Sequence, residues 1–219
     1  MSVCAVQPDL RLEELRRTAL GLRRDILTMI GKAGSGHPGG SLSAIDMIAY
    51  LYFRRLRIDP ERPRWPDRDR FVLSKGHCSP AWYAALAARG YFPRKWLWTL
   101  RDIDSPLQGH PDMTKCPGID MTTGSLGQGF SCAVGIALAA KHLGRAYRTY
   151  VMLSDAELQE GVVWEAAMAA RQFRLDGLIG LIDDNGLQTD GRTAGIMDPA
   201  PVAEKFRAFG WQVTRAILF

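Results

Sequence analysis

Leu10, Leu12, Leu15, Ala19, Leu22, Ile26 and Ile30 recur at three- and four-residue steps, which predicts an amphipathic helix over about residues 10–31. The pattern breaks at Gly34-Ser35-Gly36-His37-Pro38-Gly39-Gly40, a cluster expected to be irregular. A second helix is predicted over 43–53, followed by a polar, proline-bearing connection over 59–69 and a short apolar run, Phe71-Val72-Leu73. Helical spacing returns over 79–89. Residues 104–124, rich in Pro, Gly and Asp, form a long irregular stretch of the kind that usually carries function. The small residues of 127–143 predict a closely packed helix. The last third alternates most clearly: a strand at Tyr150-Val151-Met152-Leu153, a helix over 161–173, a buried strand over 178–182, a helix over 201–209, and a third strand beginning at Trp211-Gln212-Val213. Strands separated by helices imply parallel pairing through right-handed crossovers. The expected fold is α/β, with a mostly parallel central sheet flanked by helices. No repeat, linker or low-complexity tract interrupts it, so one domain over 1–219 is expected.

Composition narrows the class without naming a function. With 47% hydrophobic and 23% charged residues in 219, a core can form without disulfides or structural metals. The net charge of +5 comes from scattered arginines rather than a basic run, which argues against nucleic acid as partner. Cys4, Cys78, Cys116 and Cys132 form no CxxC pair, so reduced thiols and a cytoplasmic location are expected. The start lacks a signal-peptide pattern. The longest low-polarity stretch, 130–140, is too short to span a bilayer, so a soluble protein is expected.

Two polar clusters stand where ligands bind in open α/β sheets, just beyond the carboxyl ends of strands. They are Ser154-Asp155-Ala156-Glu157 and Asp183-Asp184-Asn185-Gly186, one crossover helix apart. Adjacent parallel strands would bring a carboxylate and an amide oxygen to one point, which suits a hard cation such as Mg2+. The plainer reading makes Asp155 a helix cap and Asn185 a turn residue. Of four histidines, His37, His77 and His110 each follow a glycine, which lets backbone approach a ligand closely. A zinc site lacks the short histidine spacing it needs. His142 is expected to be an exposed helix residue. Gly34-x-Gly36-x-x-Gly39 has the spacing of a dinucleotide fingerprint but follows a helix rather than a strand, and Gly31-Lys32 lacks the Ser or Thr of a P-loop.

Four segments in order resemble the transketolases. Lys32-Ala33-Gly34-Ser35-Gly36-His37-Pro38-Gly39 and Asp69-Arg70-Phe71-Val72-Leu73-Ser74-Lys75-Gly76-His77 are similar to that family's first two histidine loops. Gly109-His110-Pro111 with Thr123-Gly124-Ser125-Leu126-Gly127-Gln128-Gly129 is similar to its third histidine and its cofactor-contacting loop. Ser154 to Gly161, together with Ile182 to Leu187, is similar to its thiamine diphosphate and Mg2+ motif. The resemblance, which spans about residues 12–213, implies a thiamine diphosphate-binding fold and two-carbon ketol transfer. It implies Asp155, Asn185 and the Leu187 carbonyl as Mg2+ ligands, and His77, Gly124, Ser125, Leu126, Ser154, Asp155, Ala156, Glu157 and Asn185 around the cofactor. His37, His77, His110 and Glu160 would be catalytic, Glu160 by reaching toward a partner glutamate.

Ser154 and Ala156 depart from the family, standing where it has glycines around the metal aspartate. The chain is also C-terminally short beside whole transketolases. The resemblance therefore implies a C-terminal, pyrimidine-binding partner chain in an α2β2 assembly acting on a sugar phosphate or related ketol, and self-association without that partner. Two alternatives stay open: a cofactor-free relative serving as an interaction subunit, and a thiamine-dependent carboligase with a different donor.

Overall fold

The computed structural model describes residues 12–216. The first helix, α1 (Leu12–Ala33), opens with Glu13 and Glu14 and closes with Lys32, each favourable to the helix dipole. It buries Ala19, Leu22, Ile26 and Met29 along one stripe. Residues 10 and 11 of the predicted helix, and Cys4, lie outside the described residues.

The second helix, α2 (Pro38–Tyr50), corrects the expectation that the glycine cluster is irregular throughout. Pro38 occupies the first turn, where its fixed φ favours the helix and its missing N–H costs nothing. Gly40 is then helical for a packing reason: a Cβ there would lie 2.7 Å from Cys78 Sγ. The helix passes into a π-helical turn, Leu51–Arg55, in which Leu56 N donates to Leu51 O at 2.8 Å.

Strand β1 (Arg70–Leu73) leads into α3 (Ser79–Ala88), which is buried on all sides from Ser79 to Ala87. The long irregular stretch follows, and its polar side chains complete the sheet edge. Phe71 N donates to Asp120 Oδ2 at 2.9 Å, and Thr123 Oγ1 donates to the Leu73 carbonyl at 2.6 Å. The chain continues through α4 (Gln128–His142), β2 (Thr149–Ser154), α5 (Gly161–Gln172) and β3 (Leu178–Asp183). A small hairpin, β4 (Leu187–Gln188) with β5 (Gly191–Arg192), precedes the short helices α6 (Thr193–Ile196) and α7 (Val202–Ala208). No helix among the described residues is long and apolar enough to cross a membrane.

The sheet is parallel, in the order β1-β2-β3, with Leu73 opposite Met152 and Ser154 opposite Asp183. Strand β2 is buried throughout and its side chains alternate between two cores. Tyr150 and Met152 face α1, α2 and α3, while Val151 and Leu153 face α4, α5 and α7. Strand β3 differs from the buried strand expected, because Gly180 is exposed and Ile179, Leu181 and Ile182 are only half-buried. The predicted strand at Trp211-Gln212-Val213 does not form. Apolar alternation gives a strand only where backbone groups find a ladder partner. Here Trp211 instead packs on Phe130 and Phe206 and donates its indole N–H to the Ala167 carbonyl at 3.1 Å.

Candidate active site

Parallel pairing puts the loops after β1, β2 and β3 at one end of the sheet. The loop after β2 presents Asp155, which is 1% exposed. Its Oδ2 accepts hydrogen bonds from Gly186 N at 3.0 Å and Thr193 Oγ1 at 2.9 Å. Its Oδ1 has no partner, and is the one carboxylate oxygen so stranded among the buried side-chain atoms of the described residues. Asp155 does not cap α5, whose N-cap position is held by Glu160 without a side-chain bond. The plainer reading of Asp155 is thereby removed.

The loop after β3 carries Asn185, exposed, whose Oδ1 accepts from Leu187 N at 2.9 Å. Its Nδ2 faces Asp183 Oδ2 at 3.3 Å and Ser43 Oγ at 3.4 Å. Beneath it lies a buried ion pair that sequence reading missed: Lys75 Nζ meets Asp183 Oδ2 at 2.7 Å, with Lys75 1% exposed. Ser43 Oγ donates to Asp183 Oδ1 at 2.7 Å, so helix α2 is tied into the same cluster. Burial opposes the Lys75 charge, but Cys78 and Asp183 outweigh it and raise its pKa. Lys75 and Asp183 are 108 residues apart, and no local pattern announces such a contact.

Glu157 is fully buried. Its Oε1 accepts from Ser74 Oγ and from Gly127 N at 2.7 Å, and its Oε2 accepts from Ser154 N at 3.2 Å. Burial raises its pKa against these hydrogen bonds. It braces three loops from below. Ser154 returns a bond, its Oγ accepting from Glu157 N at 3.3 Å, and Ala156 opens a short 3-10 turn with no positive φ. The two departures from glycine are therefore accommodated without backbone strain.

The histidines gather on the other side of the β1 loop. His37 and His77 meet edge to face, ring centroids 5.2 Å apart. A Cβ on Gly124, whose φ is +156°, would lie 3.1 Å from the His110 ring, so glycine is needed for that approach. Burial, then Lys75 and the other two histidines, push His77 down to about 4. Burial and then Arg101 lower His37; burial, then His37 and Arg101, lower His110. All three are neutral at neutral pH, each ring offering one donor and one acceptor nitrogen. Ser125 and Glu160 are exposed, Leu126 is half-buried, and Glu160 lies beside Gly127 at the start of α5. His142 is exposed on α4, away from this group. Thr193, Ser43, Lys75 and Asp183 join the site only through tertiary contacts.

A buried carboxylate, an amide and three histidines gather on loops around the ends of a parallel sheet, the place where α/β proteins bind ligands. The chain belongs to the transketolase family: residues 16–217 match the family model described as transketolase, thiamine diphosphate binding domain. It is a transketolase-like transferase subunit of the N-terminal type. It is 52% identical over 200 residues to the 6-deoxy-6-sulfo-D-fructose transketolase subunit SqwG of Clostridium sp. (strain MSTE9), covering 91% of this chain and 73% of that one. It is 42% identical over 204 residues to one of the subunits of the apulose-4-phosphate transketolase of Phocaeicola vulgatus, covering 93% and 72%. Among solved structures, a transketolase variant from Pichia stipitis superposes with a TM-score of 0.87 at 34% identity, covering 91% of this chain but 31% of that one.

Proposed function

We propose that this chain holds thiamine diphosphate and Mg2+ for two-carbon ketol transfer, as the N-terminal subunit of a two-chain enzyme. The observation that carries the reading is the stranded Asp155 Oδ1: a buried carboxylate oxygen without a partner is costly unless a cation completes it. Gly186 N and Thr193 Oγ1 engage only Oδ2, which leaves Oδ1 for the metal. Asn185 Oδ1 and the Leu187 carbonyl would complete the protein's share, and Mg2+ characteristically leaves the rest to water and phosphate. When bound, thiamine diphosphate supplies the carbon nucleophile that lets a ketose carbon–carbon bond break and a new one form.

The chain's own residues would hold and polarise. Ser154, Asp155, Ala156, Gly124, Ser125 and Leu126 line the cofactor, and Glu157 fixes their loops from below. His37, His77 and His110, held neutral, accept and return protons at substrate hydroxyls, with His77 also beside the cofactor. Glu160, exposed at the start of α5, meets the partner chain. A C-terminal, pyrimidine-binding subunit in an α2β2 assembly, at work in the cytoplasm, completes the picture. The names of the relatives, a sulfo-sugar and a sugar-phosphate transketolase subunit, support a ketose substrate bearing a terminal anion.

The test is titration of thiamine diphosphate with Mg2+ into the chain mixed with a candidate C-terminal subunit. Saturable, Mg2+-dependent binding that Asp155→Ala weakens at least about 100-fold is expected, as for loss of a direct metal ligand. No binding in a mixture that forms a stable complex would overturn the reading in favour of a cofactor-free interaction subunit.

A further inference from the structure

Arg101 has a backbone and a side chain that packing alone does not explain. Its φ of +68° lies in the left-handed region, which is costly for a residue with a Cβ. Such outliers persist where the surroundings over-determine them, and they cluster at functional sites. Its N–H donates to the Leu107 carbonyl at 2.9 Å, which fixes the turn leading toward His110. Its side chain crosses to the loop before α2, where Nη1 donates to Ser35 Oγ at 3.2 Å, two residues from His37. On the way the guanidinium lies against Gly109, where a Cβ would come within 3.1 Å of its carbon and two nitrogens. Glycine beside His110 is thus the opening through which the arginine reaches both loops.

We propose that Arg101 is a positioning residue that ties the His37 and His110 loops into one proton-transfer surface. The role rests on the reading of those histidines given above. The guanidinium bridges Ser35, two residues from His37, and Gly109, the neighbour of His110. Its fixed positive charge opposes protonation of each, in step with the lowering that burial begins. The other groups facing this cluster are accounted for. His37 faces the His77 ring, and His110 faces His37 and the Gly124 backbone. His77 answers to Lys75, Asp183, His37 and His110. Arg101 therefore acts on the outer two histidines, while Lys75 acts on the inner one.

The test follows the four imidazole signals by NMR through a pH titration of the full chain, without cofactor or partner. Wild type is compared with Arg101→Gly, Arg101→Gln and Arg101→Lys. Glycine accepts φ of +68° freely, so Arg101→Gly keeps the fold and its thermal midpoint stays level or rises. In the Gly and Gln variants the His37 and His110 midpoints are expected to move up, and amide exchange at 34–37 and 108–110 to quicken. Arg101→Lys retains the charge and holds the midpoints down, while His77, which Arg101 does not touch, moves least of the three. Unmoved His37 and His110 midpoints in both the Gly and Gln variants would overturn the proposal, as would a His77 shift of equal size. Because no cofactor is present, failure of cofactor binding with Asp155→Ala as control bears on the proposed function alone, and this result on Arg101 alone.

Discussion

The loops after β1 and β3 lie side by side at one end of the sheet, yet they are built differently. The β1 loop is packed: Ser74, Lys75, Gly76 and Cys78 are all buried, and Gly76 and Gly129 lie so close to Thr123 and Ser74 that a Cβ on either would come within 2.8 Å of backbone. The β3 loop is open, with Asn185 and Leu187 exposed, Asn185 held by side-chain hydrogen bonds to Leu187 N, Asp183 and Ser43 and Leu187 by the small hairpin. The packed loop draws in His77, which is half-buried, while His37 and His110 stay exposed at its edge, and the Asn185 side is held by polar contacts. A cation joining Asp155 to Asn185 and Leu187 would supply order where packing does not. Among the described residues, the Lys75–Asp183 pair is the ion pair that links the two regions.

Breaking that link should have the largest effect. Lys75→Met leaves Asp183 buried without its cation, and a loss of about 3–5 kcal/mol is expected from urea unfolding. If Lys75→Met stays within about 1 kcal/mol of wild type, the two loops are not coupled as described.

The packed region also predicts a pH dependence. His77 titrates near 4 in the folded chain against an ordinary value of 6.5, so the unfolded chain binds the proton more readily between those values. Its contribution is complete above about 6.5 and is lost as pH falls through 4, on the order of 3 kcal/mol. Comparing urea midpoints at neutral and mildly acidic pH, His77→Gln should flatten the acid loss. An equal loss in wild type and variant would place its origin elsewhere.

The smallest effect sharpens the account of the open region. Thr193→Val removes one of the two donors to Asp155 Oδ2 and should cost about 1 kcal/mol in stability. If Asp155 holds Mg2+ as proposed, the same variant should weaken Mg2+-dependent cofactor binding about tenfold, because the carboxylate would lose its orientation. Unchanged affinity would mean that Gly186 N alone fixes Asp155.

Much of this architecture could be read from local pattern. The helical spacing of Ala19, Leu22 and Ile26, the apolar run at Tyr150 to Leu153 and the glycine before each of three histidines are all short-range features, set by what one turn or one strand must bury. The placement of Asp155 and Asn185 just beyond the ends of β2 and β3 was legible for the same reason, since each follows an apolar run. Pro38 shows the limit of such reading, because a glycine cluster after a helix also fits the first turn of the next helix. Trp211 shows it again, since a strand needs a ladder partner and its ring found Phe130 and Phe206 instead.

By itself, then, the sequence determined the α/β alternation, the histidine loops and the carboxylate-to-amide spacing, because each depends on neighbours along the chain. Only the tertiary structure decided that Lys75 would meet Asp183, that Thr193 would turn Asp155 so that one oxygen stays unpartnered, and that Arg101 would lie between two histidine loops. These contacts join distant residues whose partners are chosen by the shape of the packed core, and that shape exists only once the chain has folded.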